Sequence, residues 1–583
     1  MALGRTPADL VIEGGSVVNV HTGELHRADV AVRGDRIALV GDAGHARGPE
    51  TRVLDATGLH LVPGLIDTHI HHCHSWFGVT EFTEVMLRHG VTAFADGFYG
   101  PGIVGGPDAV RLMKDAFDPM PIRQLFLAPT LAYTQNRELG LTPARGVSPK
   151  DLLEMLDWEG CYGLEEQAPF PVLRGEVEVL DLLDATLQRG KVIHGHAAGL
   201  TPAESQAYAA VGATTDHEMV GHDEARDKAR AGIRLLAREG DDGCTDVAEV
   251  VRARTELGID ARAFSFCSDL ASPRKLLDEG TVDHAVRLAI SRGVLPVEAI
   301  QMATLSAAES LHAGHDLGSI APGRLADILV VDSLAGLEID AVLVGGEPVV
   351  RDGELARSLP ATTYPDWTRG TVTVPAPIAA DDMSISTDRP DGEAEVRAIG
   401  VSDEGSLLTS PEHRLPVPVR DGRLEANLDA DVLHLAIIDR LARGTGVGVG
   451  FVHGLGLRSG ALASTITAVS MNVVLAGVDP ADMALAANRL IEIGGGKVVV
   501  DGGQVVAEVP LPILGLHSER PVAEVVEGRD RIIAALRERG TQLVDPIAQL
   551  EFSFACQDIG DVKLSEEGLV NVNPPRMLQV LVD

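Results

Sequence analysis

Apolar and polar positions alternate in short runs from Asp9 to about residue 60, where DLVIEGGSVVNV and ADVAVRGDRIALVG are broken by Gly-Gly and Gly-Asp pairs. A period of two between turn residues predicts short strands. At Leu59 the pattern changes to LHLVPGLIDTHIHH, an apolar run that ends in histidines. From there to about residue 305, β-rich runs such as VTAFAD (91–96), KVIHGHA (191–197), ATTDHE (213–218), IRLLAREG (233–240) and RAFSFCSD (262–269) alternate with stretches of helical spacing, TPAESQAYAAVG and HDEARDKARAG among them. Strand–helix alternation over this length predicts an α/β architecture with a TIM-like (β/α)8 barrel at 61–312. LGSIAPGRLADILVVD (317–332) and DAVLVGGEPVVRDG (340–353) return to strands, so 313–375 is expected to complete a small composite β-sandwich with 1–60. The Pro-, Asp- and Ser-rich stretch 365–400 reads as a linker, and 376–583 as a C-terminal α/β domain with a helix at 480–493 and a hairpin turning at Asp501-Gly502-Gly503.

The chemistry gathers where the barrel strands end. In the extended segment Asp67-Thr68-His69-Ile70-His71, alternate side chains share a face, so His69 and His71 project together. Two imidazoles at the mouth of a barrel suit one or two divalent ions such as Mn, Fe or Zn. Later strand ends offer Glu165 and Glu166, then His194 and His196, then His217 and Glu218, and finally Asp269. The 21-residue step from His196 to His217 is one βα unit, and the 52 residues from there to Asp269 are two. Any one of these is more often a hydrogen-bonded scaffold residue; the ordered set is what points to metal. Such ions lower the pKa of bound water, and Asp269 beside that water is placed to take its proton and return it to a leaving nitrogen. Glu239 is a further catalytic candidate, with a salt bridge to Arg238 as its structural alternative. His194, Glu165, Glu218 and His222 are candidates for supporting the ligands.

Length and charge narrow the classes. At 583 residues the chain exceeds a single core. A net charge of −36 (49 basic against 85 acidic residues), with 3% aromatic residues, excludes nucleic acid and anionic membranes as expected partners and leaves a small-molecule substrate. No apolar run approaches a membrane span, and MALGRTPADL has no signal-peptide core. Five scattered cysteines (Cys73, Cys161, Cys244, Cys267, Cys556) read as reduced thiols, so a cytoplasmic location is expected.

The order HxH, mid-barrel Glu, His, His, Asp resembles the amidohydrolase superfamily, and the whole chain resembles its bacterial adenine deaminases. The motifs are VPGLIDTHIH, GKVIHGHAAGL, TTDHE, FCSD, DHAVRLAISRGVLPVEAIQMATLSAAE, LGSIAPGRLADILVVD and, in the C-terminal half, GVGFVHGLGLRSGALAST and DMALAANRLIEIGGGKVVVDGGQVVAEVPLPILGL. The resemblance implies that His69, His71 and Asp269 hold one metal, that Glu166 bridges, and that His196 and His217 hold the second. It also implies a homo-oligomer and hydrolysis of a C–N bond. Four stretches depart from the family pattern: His72-Cys73-His74-Ser75 for Ile-Glu-Ser-Ser, Asp96-Gly97-Phe98-Tyr99 for Asp-Pro-His-Glu, Leu270 and Ser272 for an Asp and a His, and Thr467-Ala468-Val469-Ser470-Met471-Asn472 for Ala-His-Asp-Ser-His-Asn. His72, Cys73, His74, Phe98 and Tyr99 are therefore expected at the substrate pocket, the first three as extra ligands or as its lining. The expected reaction is attack on an aminated heterocycle other than adenine. Amide or cyclic amide hydrolysis, adenine deamination itself and a non-catalytic metal-binding paralogue are the alternatives.

Overall fold

A computed structural model describes residues 1–134, 146–219, 221–241, 244–374, 376–403, 410–441, 446–554, 561–571 and 576–582. Cys556 lies outside these. The four described cysteines, Cys73, Cys161, Cys244 and Cys267, are free thiols.

Eight described parallel strands, five in one ladder and three in another, make the central sheet. They are β1 (Leu65–Asp67), β2 (Val91–Asp96), β3 (Arg123–Pro129), β4 (Cys161–Gln167), β5 (Val192–Gly195), β6 (Thr215–Asp216), β7 (Arg234–Arg238) and β8 (Phe264–Cys267). A parallel bridge between Ile193 and Ala213 joins β5 to β6. The ring closes where the Thr68 hydroxyl donates to Phe266 O at 2.8 Å and Asp269 N donates to His69 O at 2.8 Å. The strands are apolar and almost wholly buried, as a sheet covered by helices on one face and filled on the other requires.

Outside the barrel, the N-terminal and returning strands share one mostly antiparallel sheet, in which Ile328–Val331 pairs antiparallel and Ser16–Asn19 parallel with His60–Pro63. Leu10–Glu13, Asp29–Arg33 and their neighbours form the facing four-stranded sheet. The C-terminal half is built on a ten-stranded sheet carrying the helices Pro480–Ile493 and Val522–Glu538. The first helix starts at an Asp479 cap and stops at Gly494 in a left-handed conformation (φ 79°), and the hairpin turns at Gly502-Gly503. The stretch read as a linker contains Gly392–Gly400, a strand inside this sheet. Its alternating EAEVRAIG follows a Pro-Asp-Gly turn whose composition masks it. No described helix is long and apolar enough to cross a membrane.

The C-terminal half packs on the barrel mouth. Ser518 N donates to Trp76 O at 2.8 Å, the His517 ring bonds Phe77 O at 3.0 Å, and Ala468, Ala548 and Phe552 cluster with Cys244 and Leu270 of the barrel loops.

Candidate metal centre at the barrel mouth

His69 and His71 leave β1 in extended backbone, their rings edge-on at 4.6 Å. Opposite them, β4 delivers Glu166 and β8 delivers Asp269, both with positive φ (38° and 58°). Side chains other than glycine hold such angles only where the surroundings dictate them, and these two turn their carboxylates inward. Glu166 Oε1 lies 3.5 Å from His69 Nε2, 3.2 Å from His196 Nδ1 and 3.2 Å from His217 Nε2, while Oε2 lies 3.2 Å from His71 Nε2. Asp269 Oδ1 is 3.7 Å from His69 Nε2 and 3.5 Å from His71 Nε2. Ligands about 2.1 Å from a tetrahedral ion stand about 3.4 Å apart, which is the spacing seen. Among the described residues four donor groups result; two of them, His69–His71–Glu166–Asp269 and Glu166–His196–His217, share Glu166, and His71–Asp96–Glu165 and His217–Glu218–Asp269 flank them.

Within the cage, burial and the carboxylates oppose each other, and Glu166, Glu165 and Asp269 prevail over burial to raise His71 to about 10. Burial opposes the Glu166 carboxylate, yet His71 and His69 and the hydrogen bonds from His196 and His217 hold it well below the ordinary range. Asp269 is likewise brought down to about 2, burial being outweighed by His217, Arg238, His69 and His71. Burial and the neighbouring His69 lower His217 to about 4, so its ring is neutral and able to donate a lone pair. Both His69 ring nitrogens and Glu166 Oε2 are buried without a hydrogen bond. Orphaned donors of this kind, mixed imidazole and carboxylate, fit a borderline divalent cation.

Around these groups, the His71 Nδ1 lies 3.9 Å from Glu165 Oε1, and Glu165 accepts the Gly97 N–H at 2.7 Å. A side chain at Gly97 would collide with Glu165 Oε2 at 2.4 Å, so glycine is required there. His194 is buried beside His69, ring centroids 6.1 Å apart. Glu218 Oε1 stands 3.7 Å from His217 and 3.9 Å from His196. Asp216 organises this corner, accepting Ala197 N and Glu218 N while pairing with buried Lys228, whose ammonium also donates to Ala197 O and Glu218 O.

The pocket candidates divide. His74 Nε2 meets the Tyr99 hydroxyl at 2.7 Å, and both rings lie against His71. Cys73 and Met471 both abut Gly100. His72 and Phe98, by contrast, belong to an aromatic core: His72 stacks on His517 at 4.4 Å beside Phe82 and Phe117, and Phe98 stacks on Phe117 and Phe126. His222 pairs with Glu249 on the helix side. Glu239 pairs with Lys275 and His284 at 3.5 Å each, and not with Arg238.

Arg238 was missed as a site residue. Its guanidinium donates to Glu218, Asp246 and Asp269. An arginine closing an otherwise apolar strand was the signal available. Asp67, which accepts His69 N and Ser268 N, and Asp96, which accepts His72 N and Phe98 N, brace the site as Asp216 and Lys228 do.

Residues 60–349 match the amidohydrolase family and residues 407–575 the adenine deaminase C-terminal domain. Over 587 residues the chain is 37% identical to the adenine deaminase of Moorella thermoacetica, covering all of this chain and 97% of that one. The chain belongs to the amidohydrolase superfamily, in its adenine deaminase-like family. Adenine deaminase 3 of Rhizobium meliloti is 37% identical, with 100% of this chain and 98% of the relative covered. Among solved structures, an adenosine deaminase from Xanthomonas campestris with bound zinc superposes with a TM-score of 0.46 at 17% identity, over 60% of this chain and 94% of that one. Membership makes the chain a metal-dependent hydrolase of non-peptide C–N bonds.

Proposed function

We propose that this adenine deaminase-like hydrolase releases ammonia from an aminated heterocycle other than adenine, using one or two Mn, Fe or Zn ions. His69, His71, Glu166 and Asp269 would hold one ion, and Glu166, His196 and His217 the other. The observation that carries the reading is the pair of buried donor groups meeting at Glu166. Held by these residues, a divalent cation would supply Lewis acidity, lowering the pKa of the attacking water.

The chain's own residues do the rest. Asp269 Oδ1, facing His69 and His71, takes a proton from the attacking water and returns it to the leaving nitrogen. Glu165, 3.9 Å from His71 Nδ1, acts on that ring through its charge and not through a hydrogen bond. Glu239, with Oε2 buried and free of hydrogen bonds, is the carboxylate available to a substrate N–H. Leu270, Ala468 and Phe552 form an apolar wall that limits water.

The preference against adenine rests on the neutral groups beside His71, the His74–Tyr99 pair with Cys73 and Met471 near it. A purine offers several polar edges, and a site lacking their partners binds it poorly. The second reading, adenine deamination, is favoured by the full-length identity to the Moorella enzyme. Ammonia release from adenine and from a panel of aminated heterocycles and amides, with each metal, separates the two. Efficient turnover of adenine overturns the altered substrate; a new carboxylate in place of ammonia marks an amidase.

A further inference from the structure

One guanidinium nitrogen touches both halves of the metal centre. Arg238 Nη1 donates to Asp269 Oδ2 at 3.1 Å and to Glu218 Oε1 at 2.5 Å. Asp269 presents its other oxygen, Oδ1, to His69 and His71, whereas Glu218 lies beside His196 and His217. The arginine is itself immobilised, because its Nε donates to Asp246 Oδ2 at 2.5 Å and the side chain is buried at the end of β7. Cys244 Sγ, at 3.8 Å, also faces Asp269 Oδ2.

We propose that Arg238 is a positioning residue that fixes Asp269 and Glu218, keeping Asp269 to a single oxygen at the first donor group and Glu218 out of the second. The geometry carries this. Asp269, Glu218 and His217 offer donor atoms close enough to share one ion. Two carboxylates so near the imidazoles would join the coordination sphere unless something occupied their oxygens. The guanidinium serves three carboxylates from two positions, Nη1 on Asp269 and Glu218 and Nε on Asp246, and a lysine ammonium has no second donor position to anchor it to Asp246. Each oxygen kept off the cation leaves a coordination position for water and substrate.

The inference rests on the metal-dependent reading above, and its test reads the metal site without a substrate. Arg238→Ala and Arg238→Lys are loaded with Co(II), and the visible absorption, which weakens as coordination number rises, is compared with the parent. The expected result is a weaker spectrum in Arg238→Ala, with metal content retained and guanidinium ion restoring the parental band. Arg238→Lys should recover only part of it. On whichever substrate the parent turns over, kcat should fall about 10- to 100-fold with KM little changed. A parental cobalt spectrum in Arg238→Ala overturns the proposal, as does an altered spectrum that guanidinium leaves unmoved in a folded protein. Should Arg238→Ala not fold, Arg238→Met keeps a buried stem of similar length while removing the guanidinium, and a parental spectrum there overturns it equally. If the parent hydrolyses no C–N substrate, the functional reading fails while the cobalt spectra still report on Arg238.

Discussion

Glu166 holds more of the centre together than any other side chain, since its two oxygens face four imidazoles. Glu166→Gln keeps the shape and removes the charge that both donor groups share. Elemental analysis of this variant should find less than the parental metal, and turnover should fall more than about a hundredfold; full metal content would show that the histidines suffice. Glu239 makes a different prediction. Burial, against the pull of Lys275, pushes it up from 4.5 to about 7. The folded chain therefore keeps a proton between these values that the unfolded chain has released. This group's contribution to stability is full below about 4.5 and is lost as pH rises towards 7. Glu239→Gln should raise the melting temperature over the parent at pH 8 and hardly at pH 5. An equal change at both would assign the effect to something other than the buried charge.

At the scale of elements, the strand ends were legible where one strand carries its own signal. His69 and His71 share a face because extended chain has a period of two, and the step to His217 marks a βα unit. The misplaced residues lie beyond it. That period ends at His71: His72 opens a tight helical turn and enters the aromatic core with Phe82 and Phe117, and Phe98, left-handed at the start of a helix (φ 57°), stacks on Phe117. Arg238 shows a charge at the end of its strand, but its role was hidden because Glu218 and Asp269 come from the ends of β6 and β8 and join it and the nearby Asp246 only in the closed ring. Asp216 and Lys228 show what such long-range pairs carry. Both are buried, and the lysine ties the ends of β5 and β6 together. Lys228→Met leaves Asp216 without its counter-charge and should cost about 3–5 kcal/mol in denaturant unfolding. Adding Asp216→Asn should return part of that loss; a double variant no more stable than the single would show that the pair is not the source.

For the whole molecule, the question is whether the barrel and the C-terminal half are one folding unit or two. Separate sequence patterns suggest two, and the cut near residue 375 follows composition. The buried apolar residues argue for one. A single continuous cluster runs from Trp76 and Phe77 at the barrel mouth through Ile466, Leu514 and Leu516 of the C-terminal half. Phe552 lies within this contact, its ring 4.8 Å from His74 and its neighbours Cys244 and Leu270 belonging to the barrel loops beside Asp269. A surface of that kind leaves neither half a stable water-facing boundary at the catalytic end, so the two should melt together. Phe552→Asp places a carboxylate in this apolar contact and should destabilise the chain by about 3 kcal/mol or more, cavity and desolvation costs combined. In calorimetry the parent should show one transition, and the variant the same single transition moved down as a whole. Two transitions, of which only the C-terminal one moves, would mean that the barrel keeps its fold and its metal site without the cover, and the wall over Asp269 would then be an addition to the centre instead of a part of it.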